Sequence, residues 1–265
     1  MAVRRVIGKQ QQTDLLVGVN MKKTILIIIL FALCVSISSA GVTDKLRAVI
    51  AAKNAPAAPA GITYVESSGF GNADEDTTLV LTTGSGVESG DLVIVIVSQY
   101  DAIAEVGAGT FEDDKSNTWT RNQELPSADS TDMNIGIFTC IANGSGAIAV
   151  TITGSNNYKR GAIAAFRGVS DNTEDDVATA TASTTTPAAG NISTSGSGLI
   201  VGFDLTLSQT QTITPDENWT QIAESEEANL VYSMVYRIVS GAGTYNDGWT
   251  LGSAAWQRCV TITFE

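Results

Sequence analysis

The second half of this chain repeats the order of motifs found in its first half. Residues 89–97 (Ser-Gly-Asp-Leu-Val-Ile-Val-Ile-Val) return as residues 197–205 (Ser-Gly-Leu-Ile-Val-Gly-Phe-Asp-Leu), and residues 140–146 return as residues 237–243. The offset falls only from 108 residues (89 to 197) to 97 residues (140 to 237). Because the motifs keep their order at a nearly constant offset, the chain is predicted to contain an internal duplication.

Each copy is built from short apolar runs with the two-residue period of a strand. Residues 147–153 and 199–207 alternate between two sets of side chains, and Gly-rich turns separate the strands. In the second run the apolar set that begins at Leu199 is expected to face the core, and the other set is expected to face water: Ile200, Gly202, Asp204 and Thr206. One small sheet cannot bury both of its faces alone. We therefore predict an all-β fold, an antiparallel β-sandwich of jelly-roll or Greek-key type over residues 61–265, with repeats at about 62–169 and 188–265.

The N-terminal segment is predicted to lie outside this domain. Residues 1–40 are typical of a signal peptide with an upstream extension: Lys22 and Lys23 precede the apolar residues 25–35, and Ser38-Ser39-Ala40 supplies a cleavage site. An uncleaved anchor is the alternative. Residues 41–60 predict a short amphipathic helix followed by a Pro/Ala linker. The mature protein is then secreted, extracellular or held at the cell surface, with no membrane contact after cleavage.

The charge of the chain excludes some classes of partner. The full chain carries 15 basic and 28 acidic residues. Residues 1–40 hold five of the basic residues and one acidic residue, so the mature chain has a net charge of −17. Such a surface repels phosphate backbones and anionic membranes, so nucleic acid is not an expected partner.

The residues that usually carry catalysis are missing from the sequence. There is no histidine, which removes Ser-His-Asp and Cys-His catalysis and the common zinc sites. We therefore predict a protein that is not an enzyme. A glycoside-active enzyme using paired carboxylates is the remaining enzymatic alternative.

Calcium is the candidate cofactor, since it takes oxygen ligands from acidic loops. The alternative is that these residues only keep an acidic protein soluble. The first candidate ligands are Glu112, Asp113, Asp114, Asp175 and Asp176.

Two cysteines remain after signal cleavage, Cys140 and Cys259, and both lie in apolar strand-like runs. In a secreted protein two cysteines most simply form a disulfide bond. Two buried free thiols are the alternative.

Aromatic residues flanked by amides mark candidate ligand positions. Tyrosines beside Asn and Asp at related places in the two copies are typical of a glycan-binding platform, although these are also ordinary turn residues. The candidate ligand-binding residues are Asn156, Asn157, Tyr158, Tyr245, Asn246 and Asp247.

An apolar strand face in the first copy indicates a covering element. Leu92, Ile94 and Ile96 are apolar where the second copy shows water-tolerant residues, so we expect a docked helix or a neighbouring subunit to cover them. Ordinary burial under a loop is the alternative. The helix face that would serve this contact comprises Leu46, Val49 and Ile50.

The order of these motifs resembles that of β-sandwich modules in bacterial extracellular proteins and in phage tail or fibre proteins. The residues that carry the resemblance are 90–93, 117–120, 147–153 and 166–169, and the likeness covers about residues 61–265. The resemblance implies an accessory role in adhesion, glycan binding or particle architecture, and no residue-level site. We therefore expect a structural or adhesive subunit of an extracellular assembly that associates with itself or with a cell-surface component. A glycan-binding module is the alternative.

Overall fold

Period-two alternation of apolar side chains produces strands throughout the computed structural model. The structure describes residues 61–100, 110–125, 133–207, 212–227 and 230–265. The expected signal peptide, the linker and the helix with Leu46, Val49 and Ile50 lie outside the described residues. The described residues contain no helix, so the all-β prediction is confirmed for them. They belong to one compact unit, Pro56–Glu265.

The first main sheet, sheet A, comes from the first half of the chain. Its strands are β1 (Thr63–Thr82), β2 (Leu92–Tyr100), β3 (Phe111–Asp113), β4 (Thr120–Leu125), β5 (Met133–Ile141) and β6 (Ala149–Arg167). They pair antiparallel in the order β1-β6-β2-β5-β4, and β3 pairs with the beginning of β6.

The second half of the chain forms the other main sheet, sheet B, and two small sheets. The strands are β7 (Val177–Thr184), β8 (Asn191–Thr194), β9 (Ser197–Leu207), β10 (Ile213–Pro215), β11 (Thr220–Glu227), β12 (Leu230–Ser240), β13 (Gly243–Asn246), β14 (Trp249–Leu251) and β15 (Ala255–Phe264). Sheet B has the order β11-β12-β9-β15-β7. The two small sheets are the pairs β8–β13 and β10–β14.

The two main sheets pack face to face around a shared core, as predicted for a β-sandwich. Leu92, Ile94 and Ile96 of sheet A lie in the same buried cluster as Val201 and Phe203 of sheet B. At the rim of this core, Tyr64 of β1 stacks on Tyr236 of β12, with ring centroids 5.2 Å apart. Burial of an aliphatic or aromatic side chain contributes about 1.5–3 kcal/mol, so this core is the main attraction between the sheets.

This packing corrects the prediction that Leu92, Ile94 and Ile96 contact a partner. All three are fully buried inside the chain's own core. They alternate with Val93, Val95 and Val97, which point to the outer face of sheet A. In the strand pairing, the counterparts of these three residues in the second copy are the inward-facing Leu199, Val201 and Phe203, and not the water-tolerant set of β9.

The outer face of sheet A is covered by the remote ends of its own long strands. Leu79 and Leu81 of β1 and Val150 of β6 pack against Val93 and Val95. The pairing of β1 with β6 shifts register at several points between Tyr64 and Thr78, and such bulges let a strand pair bend. The covering ribbon is therefore a continuation of the sheet that it covers.

Sheet B is covered on its outer face by the two small sheets. Ile192, Ile213, Trp249 and Leu251 of these small sheets lie in one buried cluster with Ile200 of β9. The sequence predicted that Ile200, Gly202, Asp204 and Thr206 face water, and this prediction is wrong. The side chains of β9 do alternate between two faces, but both faces are buried.

A glycine permits the closest approach in the covering ribbon of sheet A. A Cβ atom at Gly161 would lie 2.9 Å from Leu81 Cδ1 and 3.0 Å from the backbone oxygen of Ile96. Backbone cannot move aside cheaply at this distance. The covering ribbon therefore packs closely at Gly161, a position that has no side chain.

We expect Gly161→Val to destabilise the protein by about 3 kcal/mol, because overpacked core positions cost this order of free energy. Chemical denaturation followed by circular dichroism measures the change. Gly144→Val is the matched control, since a Cβ at Gly144 meets nothing within 4 Å. Equal stability of the two variants would contradict the proposed packing of the ribbon on Gly161.

Candidate functional site

A cluster of polar side chains is buried beneath the small sheets on the outer face of sheet B. The Asp204 carboxylate on β9 accepts hydrogen bonds from Thr206 Oγ1 at 2.7 Å and from Cys259 Sγ at 3.0 Å. The Asp247 carboxylate accepts from the backbone N–H of Ala189 at 2.9 Å and from the hydroxyl of Thr261. We call Asp204, Thr206, Asp247, Cys259 and Thr261 the buried carboxylate cluster.

The strand register brings the members of this cluster together. Asp204 lies between Ser233 of β12 and Cys259 of β15 in the pairing of the sheet. Asp247 arrives from the loop between β13 and β14, and its Oδ2 lies near the position that a Cβ on Gly202 would occupy. Trp249 closes the arrangement, since its indole Nε1–H donates to Ser233 Oγ at 3.2 Å.

Burial changes the proton affinity of the cluster. Desolvation raises the pKa of the Asp204 carboxyl to about 7; hydrogen bonds from Thr206 and Cys259 oppose this rise, and the charge of Asp247 adds to it. Burial also raises the pKa of Asp247, although its hydrogen bonds from Thr261 and Ala189 act in the other direction. Close to neutral pH the cluster can therefore hold a proton inside the domain.

No member of the buried carboxylate cluster is open to a substrate in this structure. Asp204, Thr206 and Thr261 are fully buried, and Asp247 and Cys259 are each 2 % exposed. The contacts that the cluster makes are structural. Through Ala189 and Thr261, Asp247 ties the loop before β8 and the β13–β14 loop to sheet B.

The two cysteines are free thiols, so the predicted disulfide bond is wrong. Cys140 lies in the core on the outer face of sheet A, and Cys259 lies in the core on the outer face of sheet B. The whole sandwich therefore separates them. Burial raises the pKa of the Cys140 thiol to about 12, and burial with the charge of Asp204 raises that of Cys259 well above its ordinary value. Both thiols stay protonated and unreactive.

The candidate calcium ligands fall into two separate places. Glu112, Asp113 and Asp114 lie at β3 on sheet A, whereas Asp175 and Asp176 precede β7 on sheet B. Within the described ranges, no group of three or more side chains suited to a metal ion was found. The calcium prediction stays untested.

Three of these acids bind backbone N–H groups of their own chain. Asp113 accepts from the N–H of Lys115 at 2.6 Å and from the indole Nε1–H of Trp119 at 2.5 Å. Asp114 accepts from the N–H of Ala149, and Asp176 from that of Ser193, both at 2.8 Å. The Asp113–Lys115 bond lies within a turn, whereas those of Asp114 and Asp176 join segments distant in sequence, so these acidic residues have a structural use.

The candidate ligand-binding residues are divided between the sheets. Asn156, Asn157 and Tyr158 belong to β6, and their side chains lie outside the described part of the chain. In the second copy, Tyr245 donates its hydroxyl to the carbonyl of Gly241 at 2.9 Å and lies under the guanidinium of Arg237, 5.0 Å from its ring centroid. Asn246 is exposed, whereas Asp247 belongs to the buried carboxylate cluster and presents no surface to a glycan.

Sequence reasoning missed the importance of Asp204 because alternation alone does not say that both faces are covered. One signal was present in the repeat. The corresponding strand of the first copy has Val97 at this place, between two glycines, Gly136 and Gly161. An apolar residue at the equivalent position indicates a buried site.

Comparisons with protein-family models, with curated proteins and with solved structures find no match to this chain. Among the described residues no helix has the length and apolar character needed to cross a membrane.

The buried Asp204 predicts a stability that falls as pH rises. A carboxyl whose pKa is higher in the folded than in the unfolded state favours folding at low pH, and this contribution is lost between about pH 4 and pH 7. The loss amounts to about 4 kcal/mol, at 1.36 kcal/mol for each pKa unit. We expect Asp204→Asn to lose stability less steeply over this range, as measured by urea denaturation at a series of pH values.

The exposed variant Glu217→Gln is the control, because it removes one negative charge without changing the buried cluster. It should keep the slope of the unmodified protein. Parallel pH profiles for Asp204→Asn and the unmodified protein would contradict the assignment of this proton to Asp204.

Proposed function

We propose that this chain is a secreted, non-enzymatic structural subunit of an extracellular assembly. One observation carries the proposal: the central strands of both main sheets are buried on both faces by the chain itself. Such a domain buries the apolar faces of its sheets within its own cores. Contacts with other molecules are then left to its loops and to the edges of its sheets.

The character of the surface supports this role. Val80 and Trp256 are the large hydrophobic side chains exposed among the described residues. The full chain has a net charge of −13. An acidic surface with few apolar side chains keeps subunits soluble until a specific contact forms.

We also propose that the two sheets arose by duplication of one unit. The order β4, β5, β2, β6, β1 in sheet A corresponds strand by strand to β11, β12, β9, β15, β7 in sheet B. β1 of sheet A lies against β11 of sheet B, which are opposite ends of this shared order. These relations support a sandwich with approximate two-fold symmetry. The finer type, jelly-roll or Greek-key, stays a prediction.

Secretion with signal-peptide cleavage predicts a defined N-terminus for the mature protein. We expect the protein recovered from the medium of an expressing host to begin at Gly41, because cleavage after Ala40 follows the apolar segment and its small residues. Intact-mass spectrometry with N-terminal sequencing measures this. Replacement of Ala40 by a bulky residue, Ala40→Trp, should block processing. A full-length, cell-retained protein in both cases would contradict the signal-peptide prediction.

A structural subunit should associate in solution. We expect the purified chain to sediment as a dimer or larger regular particle and to show uniform particles by negative-stain microscopy. Addition of calcium and of EDTA in parallel samples tests whether the metal takes part. A monomer at every soluble concentration, with and without calcium, would overturn the structural proposal.

A further inference from the structure

The edges of the two main sheets differ in a way that bears on self-association. The edge strands are β1, β4 and the three-residue β3 in sheet A, and β11 and β7 in sheet B. An edge strand has one row of backbone N–H and C=O groups without a partner in its sheet, so it can pair with another chain. Charged side chains and bulges are the usual devices that prevent such pairing.

Every edge except β7 carries these devices. The short β3 contains Glu112 and Asp113. β4 contains Arg121 and Glu124, joined by an ion pair of 2.5 Å, and it has a register shift between Arg121 and Gln123. β11 ends in an acidic stretch and shifts register between Gln221 and Ala223. β1 contains several acidic residues and four register shifts along its pairing with β6.

The remaining edge, β7, carries neither device. Its sequence is Val-Ala-Thr-Ala-Thr-Ala-Ser-Thr, without charge, proline or glycine. It pairs with β15 from Val177 to Thr184 without a register shift. No strand in the described part of the chain pairs with its other edge. Thr179, Thr181 and Ser183 are exposed along it.

We propose that β7 is the site at which a second copy of this chain pairs, edge to edge and antiparallel, so that sheet B continues from one copy into the next. This inference rests on the proposed structural function and names its partner. A second copy is favoured because β7 is complementary to itself. A two-fold axis perpendicular to the sheet makes the strands antiparallel and keeps the same face of both copies on the same side.

Side-chain pairing at this contact is compatible with the sequence. With the axis at Ala180, Thr179 lies opposite Thr181 of the second copy and Ala178 lies opposite Ala182. Threonine pairs across strands are favourable. Asp176 falls opposite the uncharged Thr184, so no acidic residues face each other.

Charge explains why the contact forms here rather than at another edge. The full chain has a net charge of −13, so two copies repel each other wherever acidic surfaces meet. From Val177 to Phe203 the sequence contains no charged residue. The exposed Trp256 of β15, whose backbone pairs with Ser183, lies beside this edge and adds apolar surface near the contact.

The test compares lysine substitutions on the edge with the same substitutions elsewhere. In Thr179→Lys/Thr181→Lys the charges of two copies would face each other across the contact. Thr214→Lys/Thr250→Lys is the matched control, since these exposed threonines pair with each other in the β10–β14 sheet. Sedimentation velocity of the full chain gives the dissociation constant, and circular dichroism verifies folding.

We expect the edge variant to raise the dimer dissociation constant about tenfold or more, because like charges that face each other in an interface oppose association. The control variant should associate as the unmodified chain does. Unchanged association of a folded edge variant would overturn the β7 contact and leave the structural function standing. A monomeric unmodified chain would overturn both proposals.

A cysteine cross-linking variant tests the β7 contact independently of the lysine variants. In Thr179→Cys/Thr181→Cys, a pair centred on Ala180 or on Thr181 brings cysteines of two copies opposite each other. Mild oxidation should then produce a covalent dimer on a non-reducing gel, at a level that the unmodified chain with its own cysteines does not reach. Absence of this dimer in a sample that sediments as dimer would overturn the β7 contact.

Discussion

The architecture depends on the need of every sheet to bury two faces. The strands β2 and β9 are buried on both sides, so the shared core between the sheets covers only one side of each strand. The other half requires a cover, and the chain supplies it in two ways. Sheet A bends the ends of β1 and β6 back over itself, whereas sheet B is covered by the small sheets β8–β13 and β10–β14. Because both covers come from the same chain, the domain needs no partner to close its cores.

The two outer cores solve this problem with different chemistry. At equivalent places in the strand pairing, sheet A has Val97 beside Gly161, and sheet B has Asp204 beside Cys259. Apolar contact over glycine allows the ribbon of sheet A to approach closely. In sheet B a buried carboxylate accepts hydrogen bonds from its neighbours, at the cost of a group whose pKa is raised to about 7. Hydrogen bonds to Asp247 fix the orientation of the covering loops, and apolar packing alone does not do this.

Because the central strands of both sheets are covered, contacts with other molecules are left to the loops and to the sheet edges. Buried acids and thiols are out of reach of substrates, and the acidic motifs predicted to bind calcium accept hydrogen bonds from backbone N–H groups of the same chain. The edge strands differ in how strongly they resist pairing. A neutral, regular strand in a chain of high negative charge is the place where two copies can approach with least repulsion. The proposed β7 contact follows from this difference between β7 and the other edge strands.

The sequence by itself determined the all-β class, the alternation of side chains in strands such as β9, and which residues of a strand share a face. These properties are local, because they depend on the two-residue period and on turn residues between strands. Only the tertiary structure decided what lies against each face. It turned Leu92 from a partner contact into core, buried Asp204 and Asp247, and placed Cys140 and Cys259 on opposite sides of the sandwich. Strand periodicity separates two faces but carries no information about which of them meets water, since that depends on residues far away in the chain.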